Sequence, residues 1–442
     1  MKNLISPKVL KGFRDFMPQA EITRASFVDI FIKVFKLAGF VPIDTPCLEY
    51  SEILLRKSDG DTEKQVFRFN DAGGRDVALR FDLTVPFARF VAQHYDELYF
   101  PFKRYHVAKV WRGEKPQGGR YREFVQCDFD IVGSTSYCVD FEILKLISST
   151  FAKINCPIKI HLSHRGLFNA FLSSISSIEK TEEVLRAVDK IKKIGKDEVQ
   201  KELCNILGEE GAKKVLSFIL TTEDKKPFLE SLSNLLELVP SGRDAIDFMK
   251  CLYELIKNEG IEENFILDMS ITRGLDYYTG LVYETFLVGC EGIGSVCSGG
   301  RYDDLAGFYT KEKVPGVGAS IGIDRLLAAL AMLKKDDMMP SFTHAIIFSD
   351  DNIDYPTAYK ISSYFAKEGI VVEVFPDKKK MARQYEMAEK KNIKWGFYLK
   401  EKLEDGKDIE ELKISLKNLS TREEKIISLK NAKAYILEEL HL

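Results

Sequence analysis

An α+β fold is expected from three features of the sequence. Val107 to Gly133 reads as a strand, a polar loop and a second strand. Residues 166–260 form a run of amphipathic helical patterns, rich in Lys and Glu, between two strand patterns. From His344 onward strands alternate with helices over about 100 residues, the pattern of a small α/β domain with a mixed sheet.

Taken in order, a helix is expected from Gln19 to Leu37. Ile22, Phe27, Ile30, Phe31, Val34 and Phe35 recur near helical spacing, and Gly39 ends it. In the stretch FVPIDTPCLEY that follows, Pro42 and Pro46 confine the chain to an edge strand or an interrupted one. Such an edge beside a packed helix suits a contact between two copies of the chain. A short strand pair is expected at Phe67–Asn70 and Asp76–Phe81. It places Asp82 and Thr84 on one face of a strand, before a helix that starts at Pro86. A carboxylate and a hydroxyl there are either a helix cap or acceptors for an ammonium group.

The stretch 107–133 carries the most information. Gly113, Pro116, Gly118 and Gly119 make its loop too long for a two-residue hairpin. On the returning strand, alternation puts Arg120, Arg122, Gln126, Asp128 and Asp130 on one face. Glu123, Val125, Cys127, Phe129 and Ile131 fall on the other. The polar face is either the solvated side of a half-exposed hairpin or the floor for a ligand with an anionic and a cationic end.

Further on, a strand is expected at Ile158–Leu162, and helices at 174–193, 197–206, 211–219, 228–238 and 242–257. Phe265–Met269 restores the strand pattern. Three glycine-bearing stretches follow: TRGLDYYTGLVYETF from Thr272, CSGGRYDDLAGF from Cys297 and PGVGASIGIDRLLAAL from Pro315. Beyond a linker ending near residue 342, strands are expected at 344–348, 371–375 and 395–399 and helices at 355–367 and 381–391. A terminal hairpin is expected at 413–416 and 425–428.

The 442 residues suffice for two or three domains. An apolar content of 45% and a charged content of 30% are ordinary for a globular chain. There is no run of about twenty apolar residues, so no membrane association is expected. The N-terminal stretch has no signal pattern, and a cytoplasmic chain is expected. Eight cysteines without a CxxC pair, and six histidines not clustered near them, favour reduced thiols over a disulfide framework or zinc site. A net charge of −3 argues against blanket nucleic-acid binding but leaves room for local basic surface. Lys103–Arg122 and Lys378–Lys394 are the two basic windows, each otherwise readable as a solvated face.

No P-loop is present, and Gly316-Val317-Gly318 lacks the third glycine of a dinucleotide fingerprint. The residues suit a reaction that joins two anions, a carboxylate and the α-phosphate of ATP. Two unit charges at 4 Å repel by roughly 4 kcal/mol at an effective dielectric of 20. Arg112 would bridge carboxylate and α-phosphate, Arg325 would hold the γ-phosphate, and Mg²⁺ would bridge the outer phosphates. Arg273 would supply a second cation on the reacting side. Asp82, Thr84 and Gln126 would take an ammonium end. Asp130, Tyr277 and Tyr278 would face a flat, protonatable ring bearing an N–H.

The motifs resemble those of the histidyl-tRNA synthetase family within the class II aminoacyl-tRNA synthetases, over nearly the whole chain. FVPIDTPCLEY is similar to the dimer-forming first class motif, WRGEKPQGGRYREF to the second and GASIGIDRLL to the third. RGLDYYTG and SGGRYDDL resemble the histidine-specific pair. The resemblance implies a six- or seven-stranded antiparallel sheet flanked by helices. It divides the chain into a catalytic domain in two parts (1–165 and 261–332), a helical insertion (166–260), a linker (333–342) and an α/β anticodon-binding domain (343–442). It implies a homodimer that joins L-histidine to its tRNA through a histidyl-adenylate, with ATP and Mg²⁺ and no resident metal.

Carried over by residue, histidine contacts fall on Asp82, Thr84, Arg112, Gln126, Asp130, Arg273, Tyr277 and Tyr278. ATP contacts fall on Arg112, Glu114, Arg120 and Arg325, with Arg112 and Arg273 catalytic. Contacts to the tRNA end fall on Lys115 and Gln117, where many bacterial members carry an arginine and a glutamine. Two rivals stay open: a non-catalytic paralogue that binds histidine or tRNA, and a class II enzyme for glycine, threonine or proline. Paralogues of the first kind usually lose Arg273, the motif arginines or the C-terminal domain, all present here; RGLDYYTG argues against the second.

Overall fold

The computed structural model describes residues 4–55, 63–116, 118–222, 227–272, 278–333, 340–350, 353–377, 380–404 and 406–440. Arg273, Tyr277 and Gln117 lie outside the described residues. The chain divides into two compact units, 1–15 with 26–336 and 16–25 with 337–442.

The strands of the first unit are, in chain order, β1 (Val41–Pro42), β2 (Leu48–Tyr50), β3 (Arg68–Asn70), β4 (Asp76–Leu79), β5 (Phe102–Trp111) and β6 (Glu123–Val132). They continue with β7 (Ile158–His164), β8 (Phe265–Leu267), β9 (Leu281–Leu287), β10 (Cys297–Tyr302) and β11 (Gly316–Gly322). Eight of them form one sheet in the order β1-β5-β6-β11-β10-β9-β7-β8, and β2-β4-β3 form a small second sheet. From β5 to β7 every pairing is antiparallel. A parallel strand is added at each edge, β1 on β5 and β8 on β7. The antiparallel part has six strands, as expected, and the two parallel edge strands bring the sheet to eight. Pro42 lacks a backbone donor, which suits β1 to an edge. The α+β class is the one expected.

The alternation on β6 holds. Val125, Cys127, Phe129 and Ile131 enter the main apolar core with Phe31 and Phe35 of the helix Pro18–Leu37 and Ile143, Leu144 and Ile147 of the helix Tyr137–Lys153. The Phe35 and Phe129 rings lie 4.8 Å apart. The opposite face is not solvated, because Gln126, Asp128 and Asp130 are only 7%, 1% and 3% exposed. Polar groups are buried at such a cost only when paired or used.

The expected common strand face for Asp82 and Thr84 gives way to a helix start. β4 ends at Leu79 and a helix runs Thr84–Gln93. Asp82 Oδ1 accepts from the Val85 N–H at 3.0 Å. Pro86 fits this first turn, where its missing N–H costs nothing. The basic window 103–122 is not one surface either, since Arg104 is fully buried.

Between β7 and β8 lie the helices Arg165–Ser174, Thr181–Val188, Ile191–Ile194, Lys196–Leu220, Phe228–Leu238 and Arg243–Asn258. Gly208, at φ +77°, breaks the fourth of these. Their buried side chains, among them Val184, Leu203, Leu232 and Met249, join the same apolar cluster as the sheet. His161 and His164 serve this region structurally. His161 Nδ1 lies 2.7 Å from Asp268 Oδ2, and His164 Nδ1 accepts from the Gly166 N–H at 3.1 Å.

The second unit carries β12 (Ala345–Ile347), β13 (Val372–Val374), β14 (Trp395–Leu399), β15 (Lys413–Asn418) and β16 (Glu424–Ser428). Their order is β13-β12-β14-β15-β16. The first three strands are parallel and the last two antiparallel, so the sheet is mixed as expected. A closing helix, Leu429–Leu440, was not anticipated. Its buried residues Leu429, Ala432 and Ile436 follow the i, i+3, i+7 rule that would have found it. In the second basic window Lys390 pairs with Glu386 at 2.7 Å and Lys391 with Glu373 at 2.6 Å, while Lys394 pairs with Glu439. No described helix is long and apolar enough to cross a membrane.

Candidate active site

A cleft of about 410 Å³ opens over the middle of the eight-stranded sheet. Its lining includes Arg112, Glu114 and Arg120 from the β5–β6 loop, Gln126 from β6, Glu284 from β9, Ser298 from β10, Ser320 from β11 and Arg325 from the helix Ile323–Met332. Two guanidinium groups of one loop, Arg112 and Arg120, therefore meet in one cavity with a third, Arg325, about two hundred residues further along the chain. Neighbouring antiparallel strands can do this because β6, β11, β10 and β9 are consecutive in the sheet.

Arg112 is held in place before any ligand arrives. Its backbone N–H donates to Arg122 O at 2.8 Å and its Nε to Phe81 O at 3.0 Å. Its guanidinium carbon lies 5.1 Å from the centre of the Phe124 ring. Glu114 faces both loop arginines, 4.0 Å from Arg112 and 3.7 Å from Arg120. Arg325 Nη1 donates to Ser295 O at 2.6 Å. The loop folds onto the helix that carries Arg325. A Cβ on Gly119, at φ +70°, would stand 3.5 Å from Ala328 and 3.7 Å from Arg325. Lys115 stands exposed on the same loop.

The N-terminal segment clamps this end of the site. Arg14 donates to Tyr121 Oη at 2.9 Å and pairs with Asp324, whose Oδ2 accepts from the Val125 N–H at 2.8 Å. Gly12 O accepts from the Arg122 N–H at 2.8 Å. Arg122 thus serves the clamp, although alternation had grouped it with the ligand-facing residues.

Asp82, Thr84, Asp130 and Tyr278 do not line the cleft. Asp82 and Asp130 are buried near Arg104, and Tyr278 packs against the apolar cluster that holds Tyr302 and Leu305. Arg104 lies 2.7 Å from Asp130 Oδ2, without in-line N–H geometry, so the contact is one of charge more than of hydrogen bonding. Tyr302 Oη donates to Asp130 Oδ1 at 2.5 Å. Burial raises the pKa of Asp130, and Arg104 opposes that rise. Burial likewise raises Asp82, against the Val85 N–H and the charge of Arg112. Burial pushes Asp128 up to about 7, with Arg104 again the main opposing charge. Tyr278 packs on β10, where only a glycine fits: a Cβ on Gly300 would sit 2.9 Å from the Tyr278 ring.

Sequence reasoning missed Arg104, Glu284, Ser320 and the Arg14–Asp324 clamp. Glu284 sits in a largely apolar strand run, where a charge at an inward position was the available signal; Arg104 stands among Lys103, His106 and Lys109, where its charge does not stand out. Arg273 and Tyr277, expected here, lie outside the described residues, as does Gln117. Among the described residues no cluster of three His, Cys, Asp or Glu could hold a metal ion.

An antiparallel sheet with one arginine where a hairpin strand enters its loop, and another where a helix follows a glycine-rich strand, fits the class II aminoacyl-tRNA synthetases. Comparison with known proteins narrows the class. The family model for histidyl-tRNA synthetase matches residues 12–326. The histidine–tRNA ligase of Treponema denticola is 56% identical over 434 residues, covering 96% of each chain. That of Treponema pallidum is 50% identical over 424 residues, covering 95% of each. Among solved structures, histidyl-tRNA synthetase from Nostoc sp. PCC 7120 superposes with a TM-score of 0.85 at 29% identity, covering 99% of this chain and 100% of that one. The chain belongs to the histidyl-tRNA synthetase family.

Proposed function

We propose that the cleft activates L-histidine with ATP and that the chain then passes the histidyl group to its tRNA. The observation that carries this reading is the convergence of Arg112, Arg120 and Arg325 on one cleft floored by Gln126. ATP lies along the arginines, with Arg112 at the α-phosphate, Glu114 and Arg120 beside it and Arg325 at the γ-phosphate. The histidine carboxylate meets Arg112, attacks the α-phosphate and displaces pyrophosphate. Arg112 offsets the repulsion between the two anions and the charge that develops between them. Arg273 is proposed as the second cation at this step.

Mg²⁺ would come with the nucleotide and offset the charge of its phosphates, with carboxylates of the cleft helping to hold it. Glu114 and Glu284 are acidic groups lining the cleft that fit such a role. Gln126, Asp82 and Thr84 take the ammonium end. Asp130, Tyr277 and Tyr278 define the ring end, and Asp130 would reach a ligand only with some rearrangement of its Arg104 and Tyr302 contacts. A polar side-chain pocket can reject analogues lacking the matching group by roughly 10⁴–10⁵.

Lys115 and Gln117, on the loop of the second motif, are proposed to meet the tRNA end. The unit with the mixed sheet is proposed as the anticodon-binding domain, and the helices between β7 and β8 as the insertion. A homodimer is proposed through the first-motif region, where Val41, Leu48, Tyr50 and Phe69 are exposed. We place the protein in the cytoplasm.

The test is charging of purified histidine tRNA with labelled histidine. ATP-dependent, acid-precipitable label is expected; its absence with well-folded protein and intact tRNA would overturn the reading. The same preparation should sediment as a dimer.

A further inference from the structure

We propose that Arg14 is a positioning residue for the nucleotide. Through Tyr121 and Asp324 it locks the β5–β6 loop to the helix Ile323–Met332, and so sets the spacing of Arg120 and Arg325 across the cleft. The proposal rests on the reading above that ATP lies along these arginines.

One guanidinium makes both ties. Arg14 Nη1 donates to Tyr121 Oη at 2.9 Å, and Nη2 donates to Asp324 Oδ1. The guanidinium carbon also lies 3.8 Å from the centre of the Tyr121 ring. A planar fork on a delocalised cation can hold two groups and a ring face at once. Tyr121 and Asp324 line the cleft and Arg14 does not, so Arg14 acts through its two partners.

Asp324 is a carboxylate that the sheet itself uses. The β6–β11 ladder ends where Gln126 opposes Gly322, after which β11 gives way to the helix. From the first helical turn Asp324 reaches back, and its Oδ2 accepts from the Val125 N–H of β6 at 2.8 Å. The residue is only 3% exposed, so its charge is held away from water. The Val125 N–H, the helix N-terminus and Arg14 offset that charge. Only Arg14 brings a full unit charge, and it is the one ion-pair partner of Asp324 among the described residues. Taking away one partner of a buried pair is costly because the other charge stays behind. Without Arg14, Asp324 is drawn toward water and the first turn with it. Arg325 is the next residue of that turn, so its reach into the cleft shifts when Asp324 does.

On the loop side, Tyr121 stands between Arg120, which lines the cleft, and Arg122. Arg122 is fastened to the same N-terminal segment, its N–H donating to Gly12 O at 2.8 Å. Its Nε donates across the loop to Glu114 O at 3.1 Å. The contact leaves no room for a side chain, since a Cβ on Gly12 would stand 2.8 Å from Arg122 Cγ and 2.9 Å from Pro116. Groups at the histidine end are held by other means. Gln126 Nε2 donates to Ser320 Oγ at 2.7 Å and Arg112 Nε to Phe81 O at 3.0 Å. The clamp therefore bears on the nucleotide end.

The test uses the full chain with Arg14→Ala, Arg14→Lys, Asp324→Asn and the double variant of Arg14→Ala with Asp324→Asn. Pyrophosphate exchange gives KM for ATP and for histidine. Arg14→Ala is expected to raise KM for ATP on the order of tenfold, the scale of one lost charge-assisted hydrogen bond. KM for histidine should stay within about twofold, a split that general destabilisation would not produce. Lysine neutralises Asp324 but cannot also hold Tyr121 as a fork does, so Arg14→Lys should fall between alanine and wild type. Asp324→Asn keeps an oxygen for the Val125 N–H and removes the charge. Added to Arg14→Ala it should cause no further loss, as for two members of one pair.

Equal rises in both KM values, no change in either, or additive losses in the double variant would overturn the proposal. If Arg14→Ala does not fold, Arg14→Lys decides alone by the same comparison of the two KM values. Wild-type protein without histidine-dependent exchange would overturn the reading of the cleft itself, a result separate from the behaviour of the variants.

Discussion

Arg112→Ala is expected to lower histidine-dependent pyrophosphate exchange by roughly 10²–10³-fold, the loss that follows removal of one pre-placed donor at a developing anion. The size of the effect follows from how the residue is held. Its backbone is tied to Arg122, its Nε to Phe81 O, and its guanidinium lies near the Phe124 ring. Little freedom remains to be lost when substrates arrive, so what the side chain contributes goes to the reaction. Lysine should restore little of the rate. A single ammonium reproduces neither the Phe81 anchor together with a second contact nor the planar fork that spans two anions. Arg112 is partly exposed, so thermal unfolding should change little. An alanine variant with wild-type exchange would remove Arg112 from the chemistry.

Gly299→Ala is expected to destabilise the first unit by at least about 3 kcal/mol, the upper end of ordinary overpacking. Gly299 lies mid-strand in β10, paired to Tyr283 on β9 and to Ala319 on β11. A Cβ there would stand 2.1 Å from Gly318 O, 2.6 Å from the Tyr283 ring and 2.8 Å from Ala319 Cα. Two of those atoms are backbone and cannot swing aside. Relief requires β11 to move, and β11 carries Ser320 and leads into Arg325. Exchange activity should therefore fall together with the urea midpoint. A variant whose stability lies within about 0.5 kcal/mol of wild type would contradict this account of the SGG sequence.

The parts of the fold that were legible in the sequence are those governed by local periodicity. Val125, Cys127, Phe129 and Ile131 alternate with Gln126, Asp128 and Asp130, and the structure keeps that alternation. Periodicity reported that the second face was polar, not that it was buried. Its burial depends on Arg104, Tyr302 and Gly318, which come from other strands. β5 was expected to begin at Val107 but begins at Phe102, and Arg104 and His106 within it are buried by partners distant in sequence. Asp82 and Thr84 were placed on a strand because the apolar pattern before them continues; a helix start won because Asp82 caps it.

The candidate site was legible where a motif gathers its residues in one stretch, as from Arg112 to Gln126. Ser320 and Glu284 were not, since neither becomes a site residue until β11 and β9 are laid near β6. The glycines of SGG illustrate the same limit. Read alone they suggest a turn, whereas in the sheet Gly299 and Gly300 are strand positions at which neighbouring groups approach too closely for a side chain.

The central claim is that this cleft activates histidine. The most direct measurement is exchange of labelled pyrophosphate into ATP by the intact chain, with each of the twenty amino acids in turn. Exchange with histidine alone, lost on replacement of Arg112 by alanine, is the predicted result. Exchange with a different amino acid, or with none by folded protein, would contradict it.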